Sequence, residues 1–168
     1  NSIQSAIDHS SHFGNIIIKD GLYKEHIFIN KSISLTGINK SGVIISTEKN
    51  NPAPLVILCC HSTTLSNLTL WPNSTLEKLS SIVKIEKESN GNNIINNNIL
   101  GPGHFGVLIT DSIRNTIENN TISNCDVGLG LITDLEGLFP SKVVITCDNI
   151  IQANMFKNNS ECGLLIQG

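Results

Sequence analysis

Apolar residues in this chain fall in short clusters, and the clusters recur in a fixed order with asparagine and glycine between them. Asn93–Leu100 reads NIINNNIL, Asn115–Ile122 reads NTIENNTI and Asn149–Phe156 reads NIIQANMF. Each is followed by a glycine and an apolar strand: Gly106-Val107-Leu108-Ile109, Gly128-Leu129-Gly130-Leu131 and Gly163-Leu164-Leu165-Ile166. Aligned on Asn98, Asn120 and Asn154, the units lie 22 and then 34 residues apart, which reads as one repeat of 22 with an insertion of 12 in the second interval. A β-rich unit of this length cannot bury its apolar side alone, so the repeat predicts coils stacked into a solenoid.

The rest of the chain fits the same plan. Ile3, Ala6 and Ile7 are spaced i, i+3, i+4, with Ser2 as N-cap and Gly14 beyond the end, which predicts a short amphipathic helix from Ser2 to His12. A solenoid exposes apolar side chains and backbone groups at its first coil, and residues 1–14 supply a capping lid. Seven short runs rich in Ile, Val and Leu follow, from Asn15–Lys19 to Ile82–Ile85, separated by Asp, Asn and Gly. With no second helical pattern, an α/β crossover fold is excluded. The expectation is an all-β, parallel β-helix of about six coils over residues 15–168, one domain with its lid.

Asn98, Asn120 and Asn154 then gain a structural task. At a corner of each coil a side-chain amide can bond its counterpart above and below, and asparagine tolerates the left-handed backbone that tight corners require. An asparagine ladder is expected there.

Composition narrows the partners. A formal charge of −3, with ten lysines unclustered and a single arginine, Arg114, disfavours nucleic acid. No apolar stretch is long enough to span a bilayer. The five cysteines, Cys59, Cys60, Cys125, Cys147 and Cys162, are odd in number and lack a C-x-x-C spacing, which favours buried reduced thiols over a disulfide framework. Six N-x-S/T sequons point the other way, toward a secreted glycoprotein, so the compartment stays open between intracellular and secreted. The first residues resemble neither an initiator nor a signal sequence, and the chain is read as part of a longer polypeptide.

Chemistry is sought where the repeat is interrupted. The excess residues from Trp71 to Leu79, and Gly101-Pro102-Gly103-His104-Phe105 one coil later, mark one corner, and Trp71, His104 and Phe105 are candidates for a carbohydrate platform of aromatic faces and polar edges. Thr110-Asp111 and Thr133-Asp134 end neighbouring strands, so Asp111 and Asp134, with Arg114 close by, are weak candidates for an acid pair or a cation site; the same residues read more simply as turns. Leu138-Phe139-Pro140, in the later insertion, is either a surface for a protein partner or a flap over the solenoid. The histidines are scattered, so no metal site is expected.

The stretches Ile3–Asp8, Ile16–Glu25 and Ile27–Gly37, taken with the N-x-I-x-x-N repeats, resemble the start of a right-handed parallel β-helix of the NosD-like or CASH (carbohydrate-binding and sugar hydrolase) type, within the pectin-lyase-like fold. The resemblance implies that fold along nearly the whole chain. It implies function only broadly, because such helices include lyases, hydrolases, esterases, copper-delivery proteins and non-catalytic F-box receptors. The G-x-V-D-F-I-F-G and G-R-P-W segments of pectin methylesterases are missing, and Gly103-His104-Phe105-Gly106 is at most a broken G-H-G of the polygalacturonases. No catalytic residue carries over. The expected function is a non-catalytic module binding carbohydrate or a protein partner on its lateral face. The alternatives are a polysaccharide-active enzyme, for which alone Ca2+ is a candidate cofactor, and a substrate-receptor segment of an F-box-like protein.

Overall fold

A computed structural model describes residues 2–47, 53–72, 79–133 and 146–167. After helix α1 (Ile3–His9), the strands follow one another in threes, each trio making one coil. The first coil is β1 (Gly14–Ile18), β2 (Gly21–Lys24) and β3 (Ile27–Ile29); the second is β4 (Ile33–Gly37), β5 (Val43–Ser46) and β6 (Val56–Leu58). The third is β7 (Thr64–Ser66), β8 (Thr69–Leu70) and β9 (Leu79–Ile85), and the fourth β10 (Asn93–Ile95), β11 (Asn98–Leu100) and β12 (Gly103–Thr110). The fifth is β13 (Thr116–Glu118), β14 (Thr121–Ser123) and β15 (Val127–Ile132), and the sixth β16 (Ile150–Gln152), β17 (Met155–Lys157) and β18 (Cys162–Gln167). Every third strand pairs in parallel, giving three six-stranded sheets: A from β1 to β16, B from β2 to β17 and C from β3 to β18. The described residues form a three-walled parallel β-helix of six coils.

Alternation along each strand turns one side chain in and the next out, and parallel pairing lays equivalent side chains over one another. In sheet A the inward column is Ile16, Leu35, Leu65, Ile94, Ile117 and Ile151. Sheet B contributes Tyr23, Ile45, Leu70, Ile99, Ile122 and Phe156. Sheet C contributes Ile27, Val56, Val83, Val107, Leu129 and Leu164. The middle members of these columns are fully buried and form one continuous core. This is the apolar periodicity of the sequence converted into stacking.

From the third coil onward the corner between sheets A and B takes two residues. The first is left-handed, at Asn67, Asn96, Asn119 and Ala153 with φ between 52° and 56°. The second turns its side chain inward, and here the amides form a ladder of Asn97, Asn120 and Asn154. Asn98, expected in that ladder, stands one place further on: it opens β11, pairs with Thr69 and Thr121, and donates outward to Thr69 Oγ1 at 3.3 Å. The interval is therefore 23 residues, since Asn97 bonds Asn120, and the insertion shortens accordingly. A second ladder, Asn92, Asn115 and Asn149, holds the corner between sheets C and A by the same bonds. The downstream glycines also align. A Cβ on Gly106 would lie 2.4 Å from Ile122 Cγ2, and one on Gly128 would lie 2.5 Å from Gly163 O and from Phe156 Cδ1, so the strand has to run bare there for sheet B to fill the interior.

Helix α1 lies on the first coil through buried Ile3 and Ile7. Ser2 Oγ accepts from Ser5 N–H, and the Glu25 carboxylate accepts from the N–H groups of Ile3 and Gln4 at 2.8 and 3.0 Å. The helix stops at His9, short of the expected His12, because Ser10 turns its N–H and hydroxyl back to Ile7 O and Phe13 is left-handed at φ 61°. Among the described residues no helix is long and apolar enough to cross a membrane. All five cysteines are free; Cys60 and Cys125 are buried, while Cys147 is exposed and Cys59 and Cys162 are half-buried, so burial holds for only part of the set.

Candidate functional site

The corner between sheets B and C is the least regular. In the third coil it begins at Trp71-Pro72, in the fourth it is Gly101-Pro102, and in the fifth and sixth it turns on left-handed Asn124 and Asn158. The chain is tight here: a Cβ on Gly101 would lie 1.8 Å from Asn124 O.

At its end three polar side chains meet. Phe105 pairs with Val127 and Val127 with Cys162, which sets the residues just before them, His104, Asp126 and Glu161, in one column across three coils. His104 Nδ1 lies 3.1 Å from Asp126 Oδ2, and one donor atom from each of the three lies within 4.8 Å of the others. Asp126 is firmly held: its Oδ1 accepts from Ser160 Oγ at 3.0 Å, its N–H donates to Gly103 O and its carbonyl accepts from Glu161 N–H. The His104 ring stands edge-on to Phe105 with centroids 4.5 Å apart. Such a group can pass a proton between imidazole and carboxylate or hold a divalent cation.

Of the residues expected to form a platform, Trp71 is 39% exposed, and the pairing of β8 with β11 carries it beside Leu100 on the outer face of sheet B. Half-buried Asn98 and Thr121 lie on that same face, while Thr69 and Ser123 on it are buried, at 7% and 6% exposure. His104 lies on the adjoining corner of the next coil; among the described residues no ring contact joins it to Trp71. Phe105 is corrected: it is only 8% exposed and offers no open face, because its ring packs over Gly130, where a Cβ would come within 2.7 Å of Cε1.

Asp111 and Arg114 lie at the corner between sheets C and A, left-handed at φ 48° and 58°, with the Asp111 carbonyl accepting from Glu88 N–H and Arg114 N–H donating to Cys147 O. Asp134 and Leu138-Phe139-Pro140 lie outside the described residues. Asp126 and Glu161 were not singled out by sequence. The aligned glycines Gly106, Gly128 and Gly163 carried the signal, since each member of the column stands two residues before one of them.

The model of the family described as periplasmic copper-binding protein (NosD) matches residues 3–167. No curated protein sequence matches the chain. Among solved structures, a pectin methylesterase in complex with a hexasaccharide superposes with a TM-score of 0.57 at 13% identity, over 95% of this chain and 62% of that one. Pectin methylesterase PemA from Erwinia chrysanthemi superposes with a TM-score of 0.55 at 14% identity, over 95% and 63%. At such identity the likeness is one of fold, and the chain spans less than two thirds of either enzyme. With three parallel walls, amide-lined corners and a family match that runs from the lid helix to the last strand, this chain belongs to the NosD family of right-handed parallel β-helices within the pectin-lyase-like fold.

Proposed function

We propose that the chain is a non-catalytic recognition module that binds carbohydrate along its lateral face, on the outer side of sheet B and the corner after it. The observation that carries this reading is Trp71: an exposed indole on the same outer face as half-buried Asn98 and Thr121. A sugar ring is apolar on its flat side and polar at its rim, so an aromatic face beside hydroxyl and amide groups matches both. The pectin methylesterase of shared fold was crystallised with a hexasaccharide, which agrees with a β-helix wall accommodating an extended glycan.

Glycan-array screening followed by titration tests the reading, with Trp71→Ala expected to abolish binding while leaving the fold intact. Capture of a protein partner with no glycan bound would replace carbohydrate by protein at this face. Cleavage of a pectin-like polymer that falls with Asp111→Asn or Arg114→Ala would replace the module by an enzyme.

A further inference from the structure

The lid leaves part of the first coil uncovered. Gln4 exchanges hydrogen bonds with the backbone of Phe28 at 2.8 and 3.1 Å, and Lys31 Nζ donates to the carbonyls of Asp8 and Ser10, so α1 is tied along the edge of sheet C. On the other two walls the inward columns begin half-covered: Ile16 and Tyr23 are half-buried, whereas Leu35 and Ile45, stacked on them, are fully buried. Between these residues and the helix lies a cavity of about 290 Å³, walled by Ile3, Ala6, Ile16, Ile18 and Tyr23 and bordered by exposed Ser2 and Lys19. We propose that this cavity takes up the alkyl chain of an aliphatic carboxylate, whose charged head is held by Lys19 and Ser2. The site belongs to the first coil and draws nothing from Trp71 in the third, so it stands apart from the carbohydrate reading.

The walls select the tail. Their one polar atom, the Tyr23 hydroxyl, is already committed, donating to Lys19 O at 2.8 Å. Water inside such a space finds few partners, and an apolar cavity of about 150 Å³ stays dry and binds benzene. Twice that volume suits an alkyl chain of roughly eight to twelve carbons. Its entry removes the remaining exposed surface of Ile16 and Tyr23 from water, which drives binding.

The border selects the head. Lys19 is the one charged residue on the lining, and among the described residues no carboxylate pairs with it. The acids nearby have other partners. Glu25 accepts from the N–H groups of Ile3 and Gln4, Asp8 accepts from Gln4 Nε2, and the Asp20 carboxyl lies against Gly42 of the second coil. Ser2 Oγ accepts from Ser5 N–H, which leaves its own proton to donate. An ammonium and a hydroxyl donor beside an apolar wall match a carboxylate on an aliphatic chain. An alkylammonium would be repelled by Lys19, and an alkane would gain nothing from it.

Calorimetric titration of the purified chain with hexanoate, octanoate, decanoate and tetradecanoate, each below its micellar concentration, tests the site. One molecule per chain is expected. Affinity should rise about fourfold per methylene, the worth of one buried CH2, and level off at roughly twelve carbons, where the cavity is full. Lys19→Met should weaken decanoate by about fivefold, the upper range for an exposed ion pair, and leave decanol unchanged. Ala6→Leu puts a good helix former at an exposed helical position, so it should keep the lid folded while filling the cavity and abolishing binding. An affinity that ignores chain length or still climbs at tetradecanoate, equal decanoate binding by Lys19→Met and the parent chain, full binding by Ala6→Leu, or no binding in the millimolar range would each overturn the proposal.

Discussion

Asn154 Oδ1 accepts two hydrogen bonds from Asn120, one from its backbone N–H at 2.9 Å and one from its side-chain amide at 3.0 Å. Asn120 repeats the arrangement one coil down, its own Oδ1 accepting from Asn97 N–H and Nδ2 while its Nδ2 also donates to Ile94 O. A carboxamide has two acceptor and two donor sites, and all four on Asn120 are filled by protein groups.

Asn120→Ala is therefore expected to cost about 2–4 kcal/mol, because it strands more than one buried polar group. Asn98→Ala, which removes one outward bond at 3.3 Å, should stay within about 0.5 kcal/mol. Urea midpoints of the two variants check the assignment, and equal losses would contradict it.

Where the glycines align, size is the constraint. Gly128→Ala places a methyl group 2.5 Å from Gly163 O and is expected to cost about 1–3 kcal/mol. Gly91 is the contrast: its φ is +67° and its nearest neighbour, Ser62 Oγ, is 4.0 Å away, so Gly91→Asn should be tolerated. Thermal unfolding distinguishes crowding at the first site from conformation at the second.

Glu25 ties the lid to the first coil through two backbone N–H groups. Glu25→Ala should loosen the lid by about 1.5–3 kcal/mol, the usual worth of a charged acceptor. Amide exchange at Ile3 and Gln4 should accelerate while exchange in sheet A stays slow; a uniform acceleration would mean that the lid and the coils open together.

Burial, with the Asp126 charge adding to it, pushes the Cys125 thiol from its ordinary 9.0 up to about 12. Burial raises Cys60 as well, and burial and then the Glu86 charge raise Cys59. At pH 8 iodoacetamide should label exposed Cys147 first and spare Cys125 and Cys60 until the chain unfolds. Because the unfolded thiol releases its proton before the folded one, rising pH through that window draws the equilibrium toward unfolding. The Cys125 contribution is thus intact below pH 9 and is lost as the pH climbs toward 12, which alkaline denaturation of Cys125→Ser against the parent would reveal.

Much of the architecture was legible because a solenoid writes its geometry into spacing. The apolar clusters, the absence of a second helical pattern and the asparagine runs gave the parallel coils. The ladder was misplaced by one residue for a physical reason. Asn96, Asn97 and Asn98 are chemically alike, and only the stacking of Ile94 on Ile117 decides which of them turns inward. Following the isoleucines would have given Asn97, and the second ladder through Asn92 with it. Phe105 looked available because exposure depends on a partner a coil away, the bare backbone of Gly130. The convergence of His104 with Asp126 and Glu161 stayed hidden because each is an ordinary turn-side residue until three coils are superposed.

The 23-residue step between ladder asparagines makes the coil a removable storey. Excising residues 97–119 would join left-handed Asn96 directly to Asn120, recreating the same two-residue corner with its inward amide and setting a coil of β10, β14 and β15 on the third. Length in this molecule is therefore a quantity that insertion or loss of whole periods can change while every junction stays native, and a binding face built on its side can be extended or cut back to the reach of its ligand.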